Sequence, residues 1–217
     1  MNYRAWNHRC WLVSYMSLDQ VLHEFKKSQD WAGLHVADNS CFHYRTRLML
    51  RMLEDSCHRQ DSIACFSYCA ELYEVWKEEL NWNEMLIKRY IGREALWLHR
   101  RFLSICWINH FARTSTGDVS CHIDHKIGRH CDFDMFMNNE LQLFRSCTTI
   151  VDDDFEDYQA QATYSAIYIL WLTKQISPRF GFELQKKLRA GELEILLSKV
   201  SEKTSVWDFL GVECGSK

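Results

Sequence analysis

The stretch that decides the fold is residues 2–13, which read NYRAWNHRCWLV. Two weaker copies follow, DNSCFHYRTRL at residues 38–48 and REALWLHRRFL at residues 93–103. Aligned on an aromatic ring, the copies share that ring, a His or Tyr two residues later, an Arg three residues later and a Leu six residues later. These four columns are Trp6, Phe42 and Trp97; His8, Tyr44 and His99; Arg9, Arg45 and Arg100; and Leu12, Leu48 and Leu103. Agreement in four columns over three copies indicates a repeat protein.

Each copy has the pattern of an amphipathic helix. In the first, Asn2 is a candidate N-cap, and Tyr3, Trp6, Cys10 and Val13 follow the spacing of one helical face. One Pro and eight Gly in 217 residues leave few breaks in the chain, which favours helices over a turn-rich β architecture. The sequence therefore predicts an all-α fold, an α-α superhelix in which helical hairpins stack like tetratricopeptide repeats into an incomplete solenoid.

Helix boundaries are predicted between the copies. Ser17 and Gln20 form a capping box for a helix that should end near Lys27, with a loop over residues 28–37. Asp38 or Ser40 should cap the second motif helix. Residues 61–90 are expected to form one long helix or a broken pair that ends at Gly92.

The predicted domain organisation has three parts. Residues 1–111 hold the helical repeats, with motif helices near 2–16, 38–53 and 93–111. Residues 112–132 are predicted to be an insertion loop, and residues 133–217 to form C-terminal helices, one of them near 182–200, and a polar tail. No fourth copy of the motif is detectable in the sequence. Because Met1 stands directly before the first copy with no helix to pack on it, we expect a product truncated at the N-terminus.

Composition excludes some classes of function. The formal charge of −3 provides no basic field, so neither nucleic acid nor an anionic membrane is an expected partner. No apolar run approaches the ~18 residues of a membrane span. Ten Cys without a secretory signal indicate reduced thiols, and hence a cytoplasmic protein.

The pattern Asn-Tyr-x-Ala-Trp-x-x-Arg at the start of a helix resembles the repeat of protein prenyltransferase alpha subunits. The resemblance covers roughly residues 2–111 and is strongest in the first copy. It implies an alpha-type subunit that wraps a beta subunit in a heterodimer. Such a heterodimer transfers a farnesyl or geranylgeranyl group from its diphosphate to a cysteine of a substrate protein. It further implies that the beta subunit holds a zinc ion, and that this chain carries no cofactor.

The resemblance also suggests residue roles. It places Tyr3 and Arg4 on the diphosphate side of the active site, where Arg4 would supply a positive charge to the departing diphosphate. The family's catalytic Lys has no counterpart, because Met1 stands at that position, and the isolated chain is expected to be inactive. Tyr3, Arg4 and His43, polar residues near helix starts, are candidate contacts to a partner. The remaining motif residues are predicted to be structural: Asn2, Trp6, Arg9, Phe42, Arg45, Trp97 and Arg100.

Three alternatives stay open. The chain could be a non-catalytic, tetratricopeptide-like scaffold that binds a partner through an aromatic face. A His/Cys-rich stretch has enough ligands for zinc, although adjacent ligands point apart; its members are Cys121, His122, His125, His130 and Cys131. The run DDFED at residues 153–157 spells a magnesium-diphosphate motif, but acids before an apolar helix more simply compensate the helix dipole.

Overall fold

The computed structural model describes residues 2–58, 62–111, 133–148 and 156–176. Within these ranges the protein has seven α-helices and no strand, so the all-α prediction is confirmed. The helices are α1 (Tyr3–Leu12), α2 (Leu18–Leu34), α3 (Asn39–His58), α4 (Ser62–Arg89), α5 (Glu94–His110), α6 (Phe133–Thr148) and α7 (Glu156–Gln175). A short 3-10 turn, Val13–Tyr15, follows α1. The chain divides into two compact units, Met1–Leu103 and Ser104–Lys217.

The first unit is built from antiparallel helical hairpins. α3 packs against α1, α2 and α4. Between α4 and α5, the Trp76 indole donates to the Leu103 carbonyl at 3.3 Å, and the Asn83 amide donates to the Leu96 carbonyl at 3.0 Å. The residue numbers of the contact positions increase along α5 as they decrease along α4, so the two helices run antiparallel, as in a hairpin. The hairpins α2–α3 and α4–α5 are the repeated unit.

Local sequence signals set several of the helix ends. The Asn2 side chain accepts a hydrogen bond from the Ala5 amide, and the predicted capping box of Ser17 and Gln20 is present. Asp38 caps α3, because its carboxylate accepts from the Ser40 amide at 2.9 Å. After α4, Gly92 adopts a φ of 73°, which a residue with a Cβ disfavours.

The predicted loop over residues 28–37 is wrong in most of its length, because α2 continues to Leu34. Ser28 is buried at 6 % exposure, and its hydroxyl donates to the Phe25 carbonyl one turn earlier. Ala32 is fully buried one turn later. Tertiary burial of this face stabilises the extra turns, and it outweighs the weak helix propensity of Ser and Gly.

The second unit contains α6 and α7, which pack on each other. Its core includes Phe136, Leu141 and Phe144 from α6 and Ile169 and Leu172 from α7. The predicted insertion loop at 112–132, the predicted helix near 182–200 and the polar tail lie outside the described residues. None of the described helices is both long enough and apolar enough to cross a membrane.

Candidate functional site

The motif arginine of the second copy, Arg45, is completely buried and joins three helices. Its Nε donates to Glu79 Oε1 on α4 at 2.9 Å, and its Nη2 donates to the other carboxylate oxygen. Its Nη1 donates to the Phe25 carbonyl on α2 at 2.7 Å and to the Ser28 hydroxyl at 2.9 Å. The guanidinium carbon also lies 4.2 Å from the centre of the Phe25 ring and 4.9 Å from that of Trp82. The second-copy Arg therefore makes both a forked ion pair and an aromatic stack.

The motif histidine of the third copy, His99, shares the same carboxylate. Its Nε2 lies 2.9 Å from Glu79 Oε1, and its Nδ1 has no hydrogen-bond partner among the described residues. Burial lowers the pKa of His99, which favours the neutral ring, and the carboxylate beside Nε2 favours the tautomer that donates from that nitrogen. Burial acts to raise the pKa of Glu79, but Arg45 and His99 outweigh it and lower that pKa to about 2.

The first and second copies meet in the same way at Glu24 on α2. This carboxylate accepts from the Tyr44 hydroxyl at 3.0 Å and from Arg9 Nη2 at 3.0 Å. The Arg9 guanidinium lies 5.3 Å from the Trp6 ring centre and 5.1 Å from that of Tyr44. Burial, followed by the charge of Glu24, raises the pKa of Tyr44 to about 12. One glutamate thus serves the Arg of one copy and the Tyr or His of the next.

The spacing of these contacts locates the extra residues of the longer repeat. Each glutamate precedes the Tyr or His that it contacts by 20 positions. Arg9 and Glu24 are 15 positions apart, whereas Arg45 and Glu79 are 34 apart. The motif rings are 36 positions apart from Trp6 to Phe42 and 55 apart from Phe42 to Trp97, so the second repeat is longer by 55 − 36 = 19 residues. The separations of the Arg–Glu pairs differ by the same 34 − 15 = 19 positions, which places these extra residues between Arg45 and Glu79. The contacts between copies are thereby unchanged by the insertion.

A further pair of the same kind occurs in the second unit, although the sequence shows no fourth copy of the motif. The Tyr168 hydroxyl on α7 donates to Glu140 Oε2 on α6 at 2.7 Å, and both residues are buried. Leu172, four residues after the tyrosine, keeps the Leu column and is fully buried. Ala166 and Ile169 occupy the ring and Arg columns. Here the glutamate precedes the tyrosine by 28 positions rather than 20, so the pair shares the Glu–Tyr contact of the repeats but neither their spacing nor their ring and Arg residues.

The residues predicted to act on a ligand or a partner lie on the surface. Tyr3 is 70 % exposed in the first turn of α1, and Arg4 beside it is exposed. His43 is exposed on α3. Among the described residues, Tyr3, Arg4 and His43 make no hydrogen bond, ion pair or ring contact with one another. The catalytic and partner-binding roles assigned to them stay predictions.

The metal-site alternatives are not resolved by the described residues. The His/Cys-rich stretch from Cys121 to Cys131 lies outside them, as do Asp153 and Asp154. Asp157 lies in the first turn of α7, where its charge complements the helix dipole. Elsewhere in the described part of the chain, no three His, Cys, Asp or Glu residues are grouped so that they could hold a metal ion.

Comparison with known proteins gives relatives over part of the chain. No protein-family model matches it. Protein prenyltransferase alpha subunit repeat-containing protein 1-B of Xenopus laevis is 29% identical over 124 residues, covering 46% of this chain and 29% of the relative. The corresponding protein 1 of Danio rerio is 31% identical over 125 residues, covering 49% and 29%. That of Homo sapiens is 27% identical over 126 residues, covering 47% and 31%.

The chain thus spans about three-tenths of the length of these relatives. These relatives are named for the prenyltransferase alpha subunit repeat, which is the repeat that residues 2–12 resemble. The described part of the structure contains the helical hairpins that such a repeat implies. The predicted resemblance is confirmed over the matched part of the chain, which is similar to protein prenyltransferase alpha subunit repeat-containing proteins.

Proposed function

We propose that this chain is an alpha-type subunit of a protein prenyltransferase, which pairs with a beta subunit to transfer a farnesyl or geranylgeranyl group to a protein cysteine. The observation that carries the proposal is the similarity to proteins named for the prenyltransferase alpha subunit repeat. The repeat geometry supports it, because the buried Arg and Glu residues are all used to join neighbouring helices. Contacts to a second subunit are therefore left to surface residues at the motif helix starts.

In this proposal Tyr3 and Arg4 lie on the diphosphate side of the shared active site. α1 has no acidic residue in its first turn, and its N-terminus carries the positive end of the helix dipole. The exposed guanidinium of Arg4 adds a full positive charge there, suited to the charge that develops on a departing diphosphate. His43 contacts the partner, and the beta subunit contributes the zinc ion and most of the isoprenoid pocket. The prenyl diphosphate and the protein substrate reach this chain only through the complex.

The proposal places the complex in the cytoplasm. Among the described residues, Cys10, Cys41, Cys106 and Cys147 are buried thiols outside any disulfide, as expected where thiols stay reduced. Burial raises the pKa of Cys41 to about 12 and that of Cys106 to about 11, so neither thiol is a nucleophile at neutral pH.

The test is co-expression of the full chain with a protein prenyltransferase beta subunit, followed by measurement of stoichiometric co-purification and of labelled isoprenoid transfer. We expect a one-to-one complex that transfers the label, and no transfer by the isolated chain. Arg4→Ala should lower the turnover of the complex about tenfold or more without loosening assembly, because an electrostatic contact is removed from the transition state. Lys26→Ala, which removes an exposed cation on α2, is the matched control and should leave turnover unchanged. A beta subunit that fails to co-purify would remove the proposal.

A non-catalytic scaffold is the second candidate, and one observation favours it. Large apolar side chains are exposed on α1, on α2 and on the 3-10 turn between them, as expected of a surface that binds another protein: Tyr3, Trp11, Tyr15, Trp31 and Leu34. Purification of the complex from its native source distinguishes the two functions. A stoichiometric partner other than a beta subunit would support the scaffold.

A further inference from the structure

One face of the motif helix is open in every copy, including the second copy, which has a repeat on each side. The position directly after the motif ring is exposed in all three copies, as Asn7, His43 and Leu98. In the second copy, α3 packs against α1 and α2 before it in the chain and against α4 after it. Among the described residues, the repeat itself therefore leaves this face of α3 uncovered.

The open face of α3 carries three basic residues in one row, His43, Arg47 and Arg51, which we call the α3 stripe. They recur at every fourth residue, so their Cβ atoms are about 6 Å apart and the row covers about 12 Å of the helix. His43 and Arg47 are exposed and form no hydrogen bond or ion pair among the described residues, whereas Arg51 lies 4.0 Å from Glu54. Two of the three side chains are thus available to an acid from outside the described chain.

Cations on the neighbouring helices α2 and α4 are instead paired within their own helix. Three lysines there each have a glutamate one turn away: Lys27 with Glu24 at 3.8 Å, Lys77 with Glu74 at 3.8 Å, and Lys88 with Glu84 at 2.6 Å. Along the α3 stripe the residue one turn from each base is another base, and like charges at this spacing destabilise a helix. A row of acids from a partner would remove this repulsion, so the stripe has the charge pattern of a binding surface.

An apolar residue beside the stripe indicates the class of partner. α5 lies next to α3, where the rings of Phe42 and His99 are 5.1 Å apart. Leu98, which precedes His99 and shares the column of His43, is 44% exposed. A diphosphate is too short to reach all three cations of the ~12 Å row. Carboxylates on every fourth residue of a helix recur at the spacing of the stripe, and an apolar side chain of the same helix can contact Leu98.

We propose that the α3 stripe binds an acidic amphipathic helix of a partner polypeptide, in which glutamate or aspartate recurs at every fourth residue. The central carboxylate pairs with Arg47, the flanking carboxylates pair with His43 and Arg51, and an apolar side chain contacts Leu98. The proposal gives a chemistry to the partner contact of His43, and the binding requires neither a beta subunit nor prenyl transfer. It can therefore fail or succeed separately from the proposed function.

The experiment uses the full chain and a fluorescently labelled peptide of about 20 residues, long enough to be helical in water. The peptide has glutamate at every fourth position, leucines beside that row and alanines elsewhere. A comparison peptide has the same composition, but its glutamates are distributed around the helix. Fluorescence polarisation measures binding at low salt, where exposed charges are least screened. We expect saturable binding of the first peptide, and binding of the comparison peptide that is weaker by about tenfold or more.

Reversal of the central charge tests the stripe itself. Arg47→Glu should weaken binding about tenfold or more, because a repulsion replaces an attraction. Replacement of the central glutamate of the peptide by lysine should restore the binding of this variant. Lys26→Glu, the same change at an exposed cation on α2, is the matched control and should bind the original peptide normally. Since Arg47 is exposed, its variant should keep the native fold, as circular dichroism would show.

Absence of saturable binding, equal binding of the two peptides, or binding that Arg47→Glu does not weaken would overturn the proposal. Displacement of the peptide by an equal concentration of inorganic diphosphate would also overturn it, and would assign the stripe to a phosphate ligand.

Discussion

Replacement of Glu79 by Gln tests the centre of the first unit most directly. The change removes the only charge that the described contacts provide to compensate Arg45, whose side chain is 0% exposed. The pKa of Glu79 is lowered from 4.5 to about 2, which corresponds to about 3 kcal/mol of interaction with the ionised carboxylate. Breaking one partner of a buried ion pair typically costs ~3–5 kcal/mol. We expect Glu79→Gln to lower the free energy of unfolding by about 3 kcal/mol.

Glu24→Gln is the control that isolates burial. Glu24 contacts an Arg and a Tyr in the same arrangement, but the side chains of Arg9 and Glu24 are 44% and 19% exposed. Solvent screens this pair, and its loss should cost about 1 kcal/mol or less. Urea denaturation of the full chain, followed by tryptophan fluorescence, measures both variants. Equal losses for the two variants would refute the reasoning, because both carboxylates pair with a motif arginine and the predicted difference in cost rests on burial.

A third variant keeps the test informative if Glu79→Gln fails to fold. Arg45→Met, Glu79→Leu and His99→Phe together remove every member of the buried cluster and replace it with apolar side chains. Packed apolar residues often substitute for a buried ion pair at little cost. We expect this triple variant to be more stable than Glu79→Gln. A triple variant that is less stable would show that the loss arises from packing and not from the unpaired charge.

Three further outcomes follow from the same structure. The free energy of unfolding should fall on acidification in two stages. It should fall below about pH 6.5, because the folded state keeps His99 neutral, and again from about pH 4.5 towards pH 2, as Glu79 is protonated. Urea denaturation at pH 7, 5.5 and 4 checks both stages, and a free energy of unfolding that does not change with pH would contradict them. Gly92→Ala should lower the free energy of unfolding by about 1 kcal/mol or more, because Gly92 has a positive φ. Gly33→Ala on α2 should raise it by about 0.5–1 kcal/mol, because the added Cβ would meet Trp82 at an ordinary 3.8 Å. Thermal melts compare the two variants, and the opposite order of stability would be inconsistent with the backbone geometry. Cys41 should resist iodoacetamide at pH 8 in the folded protein and react in urea, as mass spectrometry would show; rapid labelling of the native chain would disprove its burial.

Much of the fold could be read from the sequence because its signals are local. The motif columns lie within two helical turns of one another, so spacing alone predicts that Trp97 and Leu103 are core positions, and both are buried. Caps act over two or three residues, as at Ser17 and Asp38. The end of α2 was not predictable in this way, because Ser28 favours a turn until α3 buries it.

The sequence by itself determined the repeated helix and the residues that each copy offers: a ring, an imidazole or phenol, an arginine and a leucine. Only the tertiary structure decided which acid each copy would meet, because Glu79 lies 34 positions after Arg45 and 20 before His99, on a helix between them. The five glutamates on α4 look equivalent to a local pattern, whereas packing buries only the carboxylate of Glu79 beside both partners. Long-range pairing of this kind is selected by the desolvation of the charges, and desolvation exists only once the helices have packed.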